Sequence, residues 1–124
     1  MKYGRKISGG KYHKFNKKKK YAQPGIERKV KLGNEKKKII RGLGGSRTKV
    51  LLSADFANII DPATKKSTKV KIKNVVETPS NRFLARQNIL VKSAIIDTEL
   101  GKAKITNRPS QEGQVHAILL HDKK

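Results

Sequence analysis

Positive charge is concentrated at one end of this chain, and that restricts what the chain can fold into. Eighteen of the first fifty residues are Lys or Arg, and only Glu27 and Glu35 are acidic. That segment holds a surplus of sixteen out of the chain's formal net charge of +22, leaving +6 for the other seventy-four residues. A segment so charged repels itself and has little apolar surface to bury. A polyanion would neutralise it, and nucleic acid is the commonest such partner. The expected organisation is a basic, irregular, extended N-terminal arm over residues 1–49 and a folded body over residues 50–124.

Composition agrees. A length of 124 residues is that of one domain, and hydrophobic residues are 35% of it, below the roughly 45–50% of ordinary globular chains. The core is therefore small. There is no cysteine, which excludes disulfides, Cys-based zinc sites and thiol catalysis. No apolar run approaches the ~18 residues of a membrane span. The basic start is not followed by the apolar stretch of a secretory signal. The expected setting is cytoplasmic, without membrane partners.

Eight glycines punctuate the arm, among them Gly9, Gly10, Gly42, Gly44 and Gly45. They let backbone approach a surface closely. Lys17-Lys18-Lys19-Lys20 is the loudest charge run. Lysines near phosphates release condensed counterions, which gives affinity that is independent of sequence and sensitive to salt. Tyr3, Tyr12, Phe15 and Tyr21 are interleaved with these charges. They could stack on unpaired bases or dock on the body, and the sequence leaves both open.

From Val50 the pattern turns to strands. Val50, Leu52, Ala54 and Phe56 alternate with Leu51, Ser53 and Asp55, a period of two. Lys69-Val70-Lys71-Ile72-Lys73 alternates cleanly. Residues 89–96 form an apolar run expected to be a strand. Further strands are expected over residues 102–106 and 115–120. The breaks fall at Asp61-Pro62, Thr78-Pro79, Glu99-Leu100-Gly101 and Arg108-Pro109, with a short helical turn expected across residues 82–87. Five or six short strands at this spacing suggest a small antiparallel barrel or sandwich.

Residues 41–49, Arg-Gly-Leu-Gly-Gly-Ser-Arg-Thr-Lys, invite comparison with a nucleotide-phosphate loop. A Walker A loop requires Gly-Lys-Ser/Thr after its spacer, and this chain has none. A Rossmann fingerprint fails as well, for want of a strand and a third glycine in place. What remains is a glycine-rich stretch framed by cations, suited to RNA phosphates, or else an ordinary linker. His13, His116 and His121 have no carboxylate or Cys partners at metal-binding spacing. The nine acids are scattered, and no acid–base or nucleophile constellation emerges. No enzyme activity, cofactor, metal or small-molecule substrate is expected. The candidate nucleic-acid contacts are Arg5, Lys6, Lys11, His13, Lys14, Lys17, Lys18, Lys19, Lys20, Arg28, Lys29, Arg41, Gly44, Gly45, Ser46, Arg47 and Lys49.

Three stretches carry a resemblance. Arg5-Lys6-Ile7-Ser8-Gly9-Gly10, followed by His13-Lys14 and the basic run, is similar to a Thr/Ser-Gly-Gly signature. Residues 41–49 leading into 50–61 are similar to an Arg/Gly-Gly-x-x-Lys segment entering a long strand. Residues 88–98, Gly101-Lys102-Ala103-Lys104-Ile105-Thr106, Arg108-Pro109, Gln111-Glu112-Gly113 and 117–120 follow in matching order. As a set these resemble the archaeal and eukaryotic-type small-subunit ribosomal protein eight family, which is unrelated to the bacterial-type protein of the same number. Ser8 stands where Thr is frequent and Ser93 where Gly is common, and the glycines at 42–45 are unusually many. The chain is too short for the insertion of eukaryotic relatives, so it resembles the archaeal form.

The resemblance implies a six-stranded β-barrel with an extended arm, bound to small-subunit rRNA beside neighbouring small-subunit ribosomal proteins. It implies no catalysis. A ribosome-assembly factor on the same barrel is the alternative. An RNA-acting enzyme lacks its acid–base cluster, and a DNA-compacting protein usually shows apolar wedges on helices or ribbons.

Overall fold

The computed structural model describes residues 4–12, 17–23, 25 and 27–120. Among the described residues there are eight strands and two short α-helices: β1 (Lys31–Leu32), β2 (Lys36–Arg41), β3 (Arg47–Ala54), β4 (Phe56–Ile60), β5 (Ser67–Glu77), α1 (Arg82–Arg86), β6 (Ile95–Thr98), β7 (Gly101–Ile105), α2 (Pro109–Glu112) and β8 (His116–Leu119). It is an all-β protein. Strands β4 to β8 close a barrel, and β1, β3 and β2 form a separate three-stranded sheet in that order.

The barrel has five strands rather than six, and its closure is not antiparallel. Strands β4 to β8 follow one another as antiparallel neighbours. With an odd number of such strands, the first and last run the same way, so β4 and β8 pair in parallel (Asn58↔His116 to Ile60↔Ile118). The expected sixth strand belongs to the other sheet. The chain bends at Asp55, between β3 and β4, where the Asp55 carbonyl accepts from the Ile72 N–H (2.8 Å).

Periodicity placed much of the barrel interior. Val70 and Ile72 are buried on β5, with Lys69, Lys71 and Lys73 exposed between them. Ala103 and Ile105 are buried on β7 in the same way. Large Ile59, Ile72, Ile96 and Ile105 share the interior with small Ala57, Ala94, Ala103 and Ala117, the mixture of sizes that fills a narrow barrel. The Asp61-Pro62 break is a turn in which the Asp61 carboxylate accepts from the Ala63 N–H and the Thr64 hydroxyl.

Two strand expectations need correction. Along β3 the buried residues are Val50, Leu51 and Ala54, while Phe56 is exposed, so the period of two fails there. The strand is covered on both faces: α2 packs on β3, and Leu51 points into the core cluster. The apolar run 89–96 is a strand only from Ile95. Ser93 turns the chain at a φ of 68°. Ile89 and Leu90 are buried instead by pairing with the chain before the barrel: Ile89 bridges Lys31, and the Leu90 N–H donates to Val30 (2.8 Å).

That pairing bears on the expected division at residue 49, which falls inside β3. Val30 is 1% exposed and belongs to the core. β2, hidden in sequence by its run of lysines, pairs with β3 along its length. From Val30 onward the basic segment is therefore built into the fold, through Leu90 and through the pairing of β2 with β3.

Candidate nucleic-acid interface

The first signature folds on itself. Arg5 and Lys11 form an antiparallel bridge. The Lys6 N–H donates to Gly10 (2.9 Å), the Gly9 N–H to Lys6 (2.8 Å), and the Arg5 guanidinium to the Gly9 carbonyl (3.1 Å). This tight loop holds Arg5, Lys6 and Lys11 together, all exposed. Lys6 Nζ lies 5.7 Å from the centroid of the Tyr12 ring. Lys17, Lys18, Lys19 and Lys20 are likewise exposed, and they lead into a single helical turn at Lys20–Ala22. Tyr21 is 85% exposed with Lys19 Nζ near its ring. Tyr12 is 52% exposed, so part of each ring is open to a partner. His13, Lys14, Tyr3 and Phe15 lie outside the described residues.

Arg28 and Lys29 connect this segment to the folded part. The Arg28 Nε–H donates to the Ser110 carbonyl of α2 (3.4 Å), and Lys29 is exposed beside buried Val30.

The remaining candidates gather on the β2–β3 hairpin. Arg41 and Arg47 are directly opposite each other in the ladder, and Lys49 faces Ile39. Like charges in facing positions oppose pairing, so an anion bound between them would favour the hairpin. At the tip, the Gly42 N–H donates to Ser46 (2.7 Å) and the Ser46 hydroxyl to the Leu43 carbonyl (3.2 Å). Gly44 and Gly45 have φ of 68° and 77°, and no atom lies within 4 Å of where their Cβ would be. The turn requires left-handed backbone, and it leaves that backbone open to a close partner.

Sequence reasoning passed over several residues here. Leu43 is 99% exposed at the tip. Lys36, Lys37 and Lys38 are all exposed along β2. Lys37 pairs with Glu35 (2.5 Å). The hydrogen bond from Lys37, reinforced by the charges of Lys37 and Lys69, holds the Glu35 carboxyl below its usual range. The run Lys36-Lys37-Lys38 could have signalled an edge strand, since lysine is a common guard of edges.

No cluster of His, Cys, Asp and Glu that could hold a metal ion exists among the described residues. His116 is fixed as part of the fold, its N–H donating to Asn107 Oδ1 (3.0 Å). The N-terminal segment and the β2–β3 hairpin present a series of exposed cations, two exposed tyrosines and an open glycine turn. Exposed cations and aromatic rings of this kind are the features by which a basic surface meets a polyanion.

The comparison with known proteins gives the family. The family model described as ribosomal protein S8e matches residues 1–120, and the chain belongs to this family, one of structural proteins rather than enzymes. It is 46% identical over 121 residues to the small ribosomal subunit protein eS8 of Sulfurisphaera tokodaii, covering 95% of this chain and 93% of that one. The protein of the same name from Methanococcus aeolicus is 44% identical over 119 residues, with the same two coverages. That of Sulfolobus acidocaldarius is 45% identical over 120 residues, again covering 95% and 93%.

Proposed function

We propose that this chain is a structural constituent of the small ribosomal subunit that binds small-subunit rRNA through its basic N-terminal segment and so supports translation. It works in the cytoplasm, beside neighbouring ribosomal proteins. The observation that carries this reading, given the family, is the number of exposed cations left without acidic partners. They stand on the Arg5–Lys11 loop, at Lys17–Lys20 and at the Arg41/Arg47 pair, while Glu27 and Glu35 are the only acids in the first fifty residues. RNA phosphates would supply the missing charge. The candidate contacts are those named above, joined by Lys36, Lys38 and Leu43. Gly44 and Gly45 admit the RNA backbone to the hairpin tip.

The decisive experiment is sedimentation of small subunits through a high-salt wash. The protein is expected to stay with mature particles in stoichiometric amount. Release into the supernatant, or presence in precursor particles alone, would favour an assembly factor instead. A substitution at the hairpin separates charge from shape. Arg41→Gln with Arg47→Gln is expected to flatten the dependence of log affinity on log salt by about 1.4–1.8, at 0.7–0.9 per phosphate contact. An unchanged slope in filter-binding titrations would remove the hairpin from the interface.

A further inference from the structure

We propose that α1 carries a second RNA contact, in which Phe83 stacks on an unpaired base while Arg82 and Arg86 hold its flanking phosphates. This rests on the reading of the chain as an rRNA binder, and it adds a site on the barrel to those of the N-terminal segment.

Phe83 is 66% exposed, on a helix whose other outward residues are cations. Arg82 and Arg86 flank it in sequence and are both exposed. The Arg86 guanidinium carbon lies 5.8 Å from the Phe83 ring centroid, so one face of an aromatic platform already carries positive charge. A lone exposed apolar residue would need no explanation. This one has the Arg86 guanidinium at its ring, and Arg86 and Arg82 also line an open concavity with Val76, Glu77, Thr78 and Asn88. Val76 is itself 49% exposed, and Glu77 is the single acid lining that space. An apolar ring with flanking cations suits a base and its phosphates, because every base has a π-face and every linkage a negative charge.

The platform is held firmly for so short a helix. Asn81 caps it, its side-chain oxygen accepting from the Phe83 N–H (2.9 Å). Asn88, at a φ of 52°, ties the far end: its N–H donates to Ala85 (2.9 Å), and its carbonyl accepts from the Leu32 N–H (2.9 Å). That last bond joins α1 to β1, and Ile89 bridges Lys31. The chain that emerges from the N-terminal segment thus enters the fold beside α1. An RNA strand held by Arg28, Lys29 and Lys31 would be delivered to Phe83.

The test uses the full-length protein and small-subunit rRNA, titrated over a range of salt. Phe83→Ala is expected to weaken binding about tenfold, within the range found for loss of one base–aromatic stack, with an unchanged salt slope. Phe83→Trp should restore affinity. Arg82→Gln with Arg86→Gln should flatten the slope by about 1.4, for two single-strand phosphates. Thermal melts should match wild type, since all three side chains are exposed. If these variants bind like wild type while loss of the N-terminal cations weakens binding, this inference fails and the ribosomal reading stands. If the wild-type chain does not bind rRNA, both fail. A photo-crosslinking residue at position 83 in small subunits decides the partner. Attachment to rRNA supports the proposal, and attachment to a ribosomal protein alone overturns it.

Discussion

Removal of residues 1–26 is expected to leave a folded protein that binds rRNA orders of magnitude more weakly. The deleted stretch holds nine Lys or Arg and no acid. If each meets a phosphate, the slope of log affinity against log salt falls by up to about 8, and affinity near physiological salt by about 1,000-fold or more. The cut must not be made later. Val30 is buried in the core, β2 covers β3, and the Leu90 N–H donates to the Val30 carbonyl. Truncation at residue 49 would strip these and lose structure together with charge, so a binding defect would be uninterpretable. Residues 27–124 keep Arg28 on Ser110 and every strand. Circular dichroism should show an unchanged strand content, and fluorescence titration the loss of affinity. Equal affinity and equal salt slope for residues 27–124 and the full chain would place binding on the barrel and hairpin.

How far the sequence foretold this differs by element. Where one face of a strand meets the core and the other meets water, alternation is visible, and Val70, Ile72, Ala103 and Ile105 fell on the buried face as expected. Where both faces are covered, alternation vanishes, and Val50 and Leu51 are buried side by side. Where neither face carries a buried residue, as along β2, the strand exists because β3 needs a partner. Its lysines then disguise it as a tail. Burial of Val30, Ile89 and Leu90 depends on contacts between segments about sixty residues apart in the chain, which no local pattern contains.

The candidate site was legible by residue type but not by arrangement. The Lys run and the Gly-rich stretch stand out in the sequence as residue types suited to a polyanion. That Arg41 meets Arg47 follows from hairpin register, and that Leu43 stands at the tip follows from where the ladder ends. Phe83 in sequence is one residue of a short helical turn. Only the packing of α1 on β5 shows that its ring has been left outside.

Gly113→Ala is expected to destabilise the fold by about 2–4 kcal/mol, combining left-handed backbone strain with overpacking. Gly113 ends α2 with a φ of 75°. A Cβ there would stand 2.9 Å from the Lys49 carbonyl oxygen and 3.3 Å from Lys49 C and Cβ. The obstacle is the backbone of β3, which is held between β1 and β2 and cannot swing aside like a side chain. The melting temperature should fall by about 10 °C or more, at several degrees per kcal/mol for a domain of this size. Gly44 supplies the contrast. Its φ is similarly positive, but its Cβ would meet nothing within 4 Å, so Gly44→Ala should cost only the strain, about 1 kcal/mol. Asparagine separates the two causes, because it tolerates left-handed backbone better than alanine does. Gly44→Asn should melt near wild type, whereas Gly113→Asn should stay well below it, since its Cβ still meets Lys49. Wild-type melting of Gly113→Asn would show that α2 does not press on β3 at this point. A depressed melting temperature would establish that the glycine is required there for close approach, and that the α2 loop braces the strand from which the basic β2–β3 hairpin extends.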